Sequence, residues 1–233
     1  MRVVLPILTC LLLAGCTRSE ESPPQAAHVE HPQAQKPDTR PVIAVLGDSI
    51  SEGLGVAEGK SFPDAVQRRL DRDGFGFHVV NLGVSGDTTT GGLGRLDYAL
   101  SLKPAVLIIE LGGNDGLRGI PVAQTKQNLE AMVAGAQKAG AKVLLAGMTL
   151  PPNYGPDYIR SFENAYKDLA KKYDVPLIPF LMEAIREQIQ SKPGLMQRDG
   201  IHPTAEGHEL IAATVMQYLK PMLTASPRQQ PRG

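Results

Sequence analysis

Five short apolar segments recur along the chain from residue 42 onward, each rich in β-branched or aliphatic residues. They lie at Val42–Leu46, His78–Leu82, Val106–Leu111, Lys142–Ala146 and Val175–Ile178. Nearly continuous apolar runs of this length are typical of strands that are covered on both faces, as in parallel sheets. The pattern therefore predicts five buried strands.

Between these segments, apolar residues recur at helical spacing. The stretches with this spacing are residues 61–74, 121–140, 157–174 and 204–220. In the first, Ser61 and Asp64 are spaced as a capping box and Gly74 is a stop signal, while the second begins at Pro121. Strands that alternate with helices predict an α/β domain, in which helices cover both faces of a parallel sheet.

The amino-terminal segment has a different pattern. Residues 1–16, MRVVLPILTCLLLAGC, contain one arginine and an apolar run shorter than the roughly 20 residues that span a bilayer. This pattern predicts a signal peptide, and its end, Leu13-Ala14-Gly15-Cys16, resembles a bacterial lipoprotein cleavage site. Residues 1–15 would then be removed and Cys16 would carry lipid. A simple secretory signal followed by an incidental cysteine is the alternative.

The segment after Cys16 offers little to bury. Residues 17–40 are rich in Pro, Gln, Glu and Ala, so we expect residues 16–40 to form a lipidated cysteine and a disordered tether. The domain would occupy residues 41–233, with a short disordered tail from about residue 225. Cys10 is the only other cysteine, which leaves the domain without a thiol or disulfide and suits an oxidising compartment. We expect a lipid-anchored protein of the cell envelope that faces the periplasm, and Thr17 after the cysteine favours the outer membrane.

Charge and composition exclude some partners. The 233 residues include 24 Lys and Arg and 24 Asp and Glu, so the formal net charge is zero. Proteins that read nucleic acid usually carry a basic excess, and we expect no nucleic-acid partner. The absence of tryptophan predicts a mainly aliphatic core. No feature indicates a subunit interface, so we expect a monomer.

Small polar residues follow three of the predicted strands, where parallel sheets bind their ligands. Ser49 follows the first strand in Gly47-Asp48-Ser49, but on this triplet alone a turn in which serine caps the next helix is the favoured interpretation. Gly83 and Gly86 follow the second strand, where glycine lets the backbone approach a ligand, and an amide there can face an oxyanion or belong to a flexible loop. Asn114 follows the third strand and offers two N–H donors, with an Asx turn as the alternative.

A fourth stretch precedes the last helix. Asp199 and His202 are close enough for the carboxylate to fix one ring nitrogen and leave the other to act as a base. Taken alone, an ordinary loop aspartate beside a helix-start histidine is the favoured interpretation. Taken together, the four stretches supply the hydroxyl, oxyanion donors, base and orienting carboxylate that acyl transfer requires. We expect His208, inside the last helix, to face solvent.

These stretches resemble the consensus blocks of the GDSL/SGNH hydrolases. The matching residues are Gly47-Asp48-Ser49, Gly83, Gly112-Gly113-Asn114-Asp115 and Asp199-Gly200-Ile201-His202-Pro203. The resemblance extends from Val42 to about Leu219, and ELGGNDGLRG, SGDT and DGIHP make it strongest to the bacterial multifunctional thioesterase, arylesterase and lysophospholipase branch. The motif G-x-S-x-G of α/β-hydrolases is absent, because residue 51 is serine.

The resemblance implies a three-layer α/β/α fold of flavodoxin-like type with a five-stranded parallel sheet. It implies Ser49 as nucleophile, His202 as general base and then acid, and Asp199 as the residue that orients His202. The oxyanion hole would consist of the Ser49 and Gly83 backbone N–H groups and the Asn114 side chain. The implied substrates are aryl esters, lysophospholipids or thioesters, with no metal and no organic cofactor.

The sequence says less about the substrate. Leu117, Ile120, Leu150 and Tyr154 would line an acyl groove or simply pack against one another. Two other functions stay open: an O-deacetylase acting on envelope carbohydrate, and a lipid-anchored binding protein on a hydrolase fold that no longer catalyses. The binding protein is disfavoured because every catalytic position is intact.

Overall fold

A computed structural model describes residues 38–223 of the chain. Within this range one parallel sheet has the strand order β2-β1-β3-β4-β5, which confirms the predicted five-stranded parallel sheet. Its strands are β1 (Val42–Gly47), β2 (His78–Gly83), β3 (Val106–Glu110), β4 (Lys142–Ala146) and β5 (Leu177–Ile178). The predicted signal peptide, Cys16, residues 17–37 of the predicted tether and the predicted tail from about residue 225 lie outside the described residues.

Helices connect the strands and follow the last one. They are α1 (Ser49–Glu52), α2 (Phe62–Arg72), α3 (Thr89–Gly94), α4 (Leu96–Ser101), α5 (Gly113–Leu117), α6 (Val122–Lys138), α7 (Pro156–Tyr173), α8 (Glu183–Gln188) and α9 (Ala205–Leu219). Short 3₁₀ turns occur at Pro152–Tyr154, Pro193–Leu195 and Lys220–Met222. The four predicted helical stretches correspond to α2, α6, α7 and α9. None of the helices in residues 38–223 combines the length and apolar character needed to cross a bilayer.

The start of α2 shows how the sequence specifies an element. The Ser61 hydroxyl accepts a hydrogen bond from the Asp64 N–H, and the Asp64 carboxylate accepts one from the Ser61 N–H at 3.1 Å. This reciprocal capping box satisfies two N–H groups that a helix start otherwise leaves without partners, as the sequence predicted.

The inner strands lie in the core because helices cover both faces of the sheet. Residues Ile43–Leu46 of β1 and Val106–Ile109 of β3 are all buried. Helices α2 and α9 pack against each other on one side, whereas α6 and α7 pack together on the other, with α3 and α4 beside α6. This arrangement explains the continuous apolar runs from which the strands were predicted.

The last strand is shorter than predicted, since Val175–Ile178 contributes only Leu177–Ile178 to β5. The Val175 N–H donates to the Ala170 carbonyl at the end of α7 instead of joining the sheet. Pro176 has no N–H to donate and contributes only its carbonyl, which accepts from the Leu145 N–H. The strand therefore begins only after the proline.

The strand order determines where a ligand can bind. The chain passes from β1 outward to β2 on one side and from β3 through β4 to β5 on the other, so β1 and β3 flank the point of reversal. Ligands of open α/β sheets bind at this point, beyond the carboxyl ends of the strands. Gly47 of β1 lies beside Glu110 of β3 here, and Ser49 and Asn114 follow these two strand ends.

Candidate active site

The turn from β1 into α1 presents the Ser49 hydroxyl. Asp48 is the N-cap of α1, and its carboxylate Oδ1 accepts the Ile50 N–H at 3.0 Å. Ser49 is the first residue of the helix, so its hydroxyl is not used for capping. The alternative in which Ser49 caps the helix is therefore wrong. The turn closes at Gly53, whose φ of 87° lies in the left-handed region that glycine adopts without strain.

The three predicted triad residues form one hydrogen-bonded chain. Ser49 Oγ lies 2.9 Å from His202 Nε2, and His202 Nδ1 lies 2.7 Å from Asp199 Oδ2. The other carboxylate oxygen of Asp199 accepts the backbone N–H groups of Ile201 at 2.9 Å and His202 at 3.0 Å. The carboxylate therefore fixes its own loop as well as the imidazole ring, leaving Nε2 to accept the serine proton.

Asp199 is ionised throughout the neutral range. The backbone N–H and then the ring of His202, with the Ile201 N–H, lower the pKa of the Asp199 carboxyl to about 2. The side chain keeps 43% of its exposure, so solvent adds to the stability of this charge. A permanent negative charge at Nδ1 favours the imidazolium that forms when His202 takes a proton.

The loop carrying Asp199 and His202 is tied to the segment after α1 by Gln197, a residue that sequence analysis did not single out. Gln197 Nε2 donates to the Leu54 carbonyl at 2.7 Å and to the Pro203 carbonyl at 2.9 Å. Its backbone N–H donates to the His202 carbonyl at 2.8 Å. A side chain at Gly55 would place Cβ 2.2 Å from Gln197 Oε1, so the glycine admits this anchor.

Asn114, in α5 just beyond β3, points its amide at the turn from β1 into α1. Its Nδ2 donates to the Asp87 carbonyl at 2.9 Å and to Asp48 Oδ2 at 3.2 Å. Burial raises the pKa of Asp48 to about 6, although its bonds from the Ile50 N–H and Asn114 act in the opposite direction. Asp48 therefore caps α1 and holds Asn114.

The structure assigns Gly83 to packing. Its N–H donates to the Asn81 side-chain oxygen at 2.9 Å, two residues back in the same strand. A Cβ at this position would lie 2.2 Å from the Glu52 backbone nitrogen, so glycine is required where α1 crosses the end of β2. The predicted role of Gly83 as an oxyanion donor does not fit this geometry, because its N–H is already engaged.

Gly86, three residues later, has the features that were expected of Gly83. Its φ is 76°, its carbonyl accepts from Arg118 at 2.8 Å, and its N–H makes no hydrogen bond within residues 38–223. The next residue, Asp87, supplies the carbonyl that holds Asn114. The side chain of Asp87 pairs with Arg95 at 2.6 Å, which fixes the loop. Gly86 was one of the two glycines expected to let the backbone approach a ligand after the second strand, although the resemblance was taken to imply Gly83 as the oxyanion donor.

A cavity of about 220 Å³ opens beside the triad. Ser49, Asn114 and His202 line it together with apolar side chains. These apolar side chains include Ile50, Leu117, Met148, Leu150, Met182 and Ile201. An apolar pocket with a few convergent polar groups is the usual form of a small-molecule site.

Two of the four residues predicted to line an acyl groove line the cavity. Leu117 and Leu150 line the cavity, whereas Ile120 and Tyr154 do not. The Tyr154 hydroxyl donates to the Leu117 carbonyl at 2.8 Å, and the Ile120 carbonyl accepts from Tyr158 at 3.1 Å. Tyr154 therefore holds the backbone of a residue that lines the cavity, whereas Ile120 lies outside the lining. The residues that sequence analysis missed come mainly from the end of β4 and from the loops before α8 and α9, which only the fold brings together.

His208 was expected to face solvent, and this prediction is wrong. The side chain is 1% exposed, because α9 packs against α2. Its Nδ1 accepts the Phe62 N–H at 3.2 Å at the start of α2. Burial lowers the pKa of His208 to about 4, so the ring is neutral at neutral pH. The residue therefore serves as a helix cap between two helices.

Other clusters in the described residues lack this chemistry. A larger cleft of about 470 Å³ between α7, α8 and α9 is lined by charged side chains such as Lys167, Arg186 and Glu187, and contains no triad residue. Across residues 38–223, no group of three or more His, Cys, Asp or Glu is arranged to hold a metal ion. The chemistry therefore places the candidate site at the smaller cavity beside Ser49.

Comparison with known proteins agrees with this geometry. Residues 45–210 match the GDSL-like Lipase/Acylhydrolase family. Esterase TesA of Pseudomonas aeruginosa is 42% identical over 93% of this chain and all of its own length. Thioesterase 1/protease 1/lysophospholipase L1 of Escherichia coli is 39% identical over 78% of this chain and 84% of its own length. A solved structure of TesA, 45% identical, superposes with a TM-score of 0.73 over 78% of this chain and 99% of its own. The chain therefore belongs to the GDSL-like lipase/acylhydrolase family of serine ester hydrolases.

Proposed function

We propose that the protein hydrolyses carboxylic esters through an acyl intermediate on Ser49. His202 Nε2 removes the hydroxyl proton as Oγ attacks the ester carbonyl, and then returns this proton to the leaving alcohol. Water is activated by the same nitrogen, attacks the acyl-serine and releases the acid. The observation that supports this proposal most directly is the Asp199–His202–Ser49 chain, with its distances of 2.7 and 2.9 Å.

The oxyanion formed in each step needs hydrogen-bond donors. We assign them to the Ser49 N–H, the Gly86 N–H and Asn114 Nδ2. The Ser49 and Gly86 N–H groups make no hydrogen bond within the described part of the chain. Asn114 makes a longer bond to Asp48 than to Asp87, and the bond to Asp48 is the one that an oxyanion replaces. Donors of this kind act where negative charge develops.

The substrate proposal rests on the cavity. A volume of about 220 Å³ with apolar walls suits a short acyl chain and lies below the range of sites for drug-sized ligands. The Escherichia coli relative is named for thioester and lysophospholipid cleavage. We therefore include aryl esters, thioesters and lysophospholipids as substrate classes, with a short acyl group held within this cavity, a longer acyl chain extending beyond it, and the leaving group toward solvent.

The nucleophile is tested by labelling and turnover. A fluorophosphonate should modify the wild-type chain on the peptide that contains Ser49, and Ser49→Ala should abolish both labelling and p-nitrophenyl acetate hydrolysis. Ser101→Ala is the matched control, because that serine is exposed at the end of α4. Labelling at another serine, or full turnover by Ser49→Ala, would exclude the proposed mechanism.

Acyl preference distinguishes the remaining functions. p-Nitrophenyl esters from acetyl to palmitoyl should give the highest kcat/KM at short chains if the cavity holds the acyl group. An acetyl-only profile combined with release of acetate from acetylated glycans would favour the carbohydrate O-deacetylase. Absence of turnover in a folded protein would favour the non-catalytic binding lipoprotein.

We also propose that the protein is a lipoprotein of the cell envelope. The support is the sequence Leu13-Ala14-Gly15-Cys16 after a short apolar segment. Metabolic labelling with a fatty acid should modify the wild-type chain, and Cys16→Ser should remove the label and release the protein from the membrane fraction. Cys10→Ser is the matched control, since this residue would be removed with the signal peptide. A label that survives Cys16→Ser would exclude this anchor.

A further inference from the structure

Glu110 is a buried acid that the proposed mechanism does not use. It is the last residue of β3, it has no solvent exposure, and it lies beside Gly47 in the register of β1 and β3. Fully buried glutamates are rare unless they are paired with a cation. Among residues 38–223, no cationic side chain forms an ion pair with Glu110.

The Glu110 carboxyl group accepts hydrogen bonds from residues on both sides of Ser49. Its Oε2 accepts the Ser51 hydroxyl at 2.5 Å and the Asp48 N–H at 3.3 Å. These two donors flank Ser49 in the chain. One oxygen of Glu110 therefore fixes the turn immediately before and two residues after the reacting hydroxyl.

Gly47 makes this contact possible. A Cβ at Gly47 would lie 2.6 Å from Glu110 Oε2 and 2.0 Å from Ser51 Oγ. Any larger residue would push the carboxyl group and the Ser51 hydroxyl away from the turn. The glycine of Gly47-Asp48-Ser49 is therefore accounted for by the acid from the neighbouring strand.

The surroundings determine the charge of Glu110. Its other oxygen, Oε1, is buried and has no hydrogen-bond partner within the described residues, which is an unfavourable setting for a carboxylate. The titratable and charged groups on the packed elements include Asp48, the buried Asp115 of α5 and the buried Tyr166 of α7. Arg95 is occupied by Asp87 and the Gly47 carbonyl. Burial, followed by the Asp48 charge, raises the pKa of Glu110 well above its usual range.

We propose that Glu110 stays a neutral carboxylic acid and is the positioning residue of the nucleophile turn, with one oxygen accepting from both Asp48 and Ser51. It touches no substrate and transfers no proton. It acts by holding Ser49 Oγ at hydrogen-bond distance from His202 Nε2. This inference rests on the proposed role of Ser49 as nucleophile.

The two roles of the carboxyl group, shape and charge, are separated by two substitutions. Glu110→Gln keeps the shape and an acceptor oxygen but cannot ionise, so kcat for p-nitrophenyl acetate should stay close to that of the wild type. Glu110→Leu keeps the volume without an acceptor, so kcat should fall by about 100-fold with KM unchanged, because the hydroxyl is no longer held in line. Glu130→Gln and Glu130→Leu are matched controls at an acid that pairs with Lys172 on the surface, and should leave kcat unchanged.

A smaller change covers the case in which Glu110→Leu does not fold. Ser51→Ala removes one of the two donors that Glu110 holds, and should lower kcat without changing KM while the melting temperature stays near that of the wild type. Full kcat in Ser51→Ala, or a Glu110→Gln enzyme that is folded but has lost activity, would overturn the inference.

The protonation state has a readout that does not depend on activity. A wild-type minus Glu110→Gln infrared difference spectrum, recorded well above the pKa of about 6 at Asp48, should show the carbonyl band of a protonated carboxylic acid. A carboxylate band in its place would overturn the neutral state. The band would remain if Ser49 proved not to be the nucleophile, so failure of the proposed function and failure of this inference are distinguishable.

Discussion

Two aspartates close to the reacting serine are held in opposite environments. Asp199 lies in an exposed loop and accepts three hydrogen bonds, and its pKa falls to about 2. Asp48 lies under the nucleophile turn, and burial raises its pKa to about 6. Hydrogen bonding in contact with water stabilises a carboxylate, whereas burial penalises it even where donors are present. The acid that must be charged is therefore on the outside of the site.

Removing the charge of the exposed acid should have the largest effect. Asp199→Asn keeps an oxygen for the Ile201 and His202 N–H groups but presents an amide N–H to His202 Nδ1. The ring is then forced into the tautomer that cannot accept the serine proton, and kcat should fall about 10⁴-fold. Asp97→Asn, at an exposed position in the first turn of α4, is the matched control for steady-state kinetics. A loss below tenfold at Asp199 would show that the loop carboxylate does not orient His202.

A smaller loss is expected on the buried side of the site. Asn114→Ala removes the side-chain donor to the oxyanion, so kcat should fall about 100-fold to 1000-fold with little change in KM. Asn153→Ala, at an exposed position before α7, is the control. Steady-state kinetics with a short p-nitrophenyl ester measure both parameters. If kcat is unchanged, Asn114 only holds Asp48 and Asp87 together.

Burial of His208 predicts a pH dependence of the free energy of unfolding. Its pKa is lowered from 6.5 to about 4 by burial, so the unfolded chain binds more protons between these values and stability rises with pH across this window. The shift corresponds to about 3 kcal/mol. Urea unfolding of wild type and His208→Asn, which keeps an acceptor near the Nδ1 position, should show a difference in stability that increases by this amount from about pH 4 to pH 6.5. A pH-independent difference would mean that the ring is protonated in the folded protein.

Asp48 should show the opposite slope. Its pKa is raised from 3.8 to about 6, so the folded chain binds more protons in this window, and stability falls as pH rises through it. The difference in free energy of unfolding between wild type and Asp48→Asn should therefore decrease by about 3 kcal/mol from pH 4 to pH 6. Asn remains a good N-cap, so α1 should persist. A difference that rises with pH would place Asp48 with Asp199, as an acid stabilised by its partners.

The strands and the triad were predictable because they depend on local pattern. Apolar runs identify β1 to β4 whenever helices cover both faces, and Asp199 and His202 share a loop of a few residues, so their pairing needs no knowledge of the fold. Ser49 was placed correctly because the carboxyl end of a first parallel strand is a binding position in this fold class. The actual capping residue, Asp48, is one position earlier than the cap considered for this turn.

The errors arose where distant segments meet. Gly83 and Gly86 lie in the same loop-forming stretch, and the sequence does not show which of them has a free N–H. Only the structure shows that the Gly83 N–H bonds Asn81 and that α1 packs against Gly83. The position of His208 within α9 suggested a solvent-facing side chain, and its burial results from the packing of α2 against α9. Two of the four residues predicted to line an acyl groove, Ile120 and Tyr154, do not line the cavity, and Tyr154 bonds the backbone of Leu117 instead. No local pattern records these contacts.

The short loop that carries both Asp199 and His202 has a mechanical consequence. Because the acid and the base lie in one loop and are hydrogen-bonded to each other, a displacement of residues 197–203 would change the Ser49–His202 distance and leave the Asp199–His202 bond intact. Gln197 joins this loop to the Leu54 carbonyl, so the distance between Ser49 and His202 depends on how the loop is held against the segment after α1.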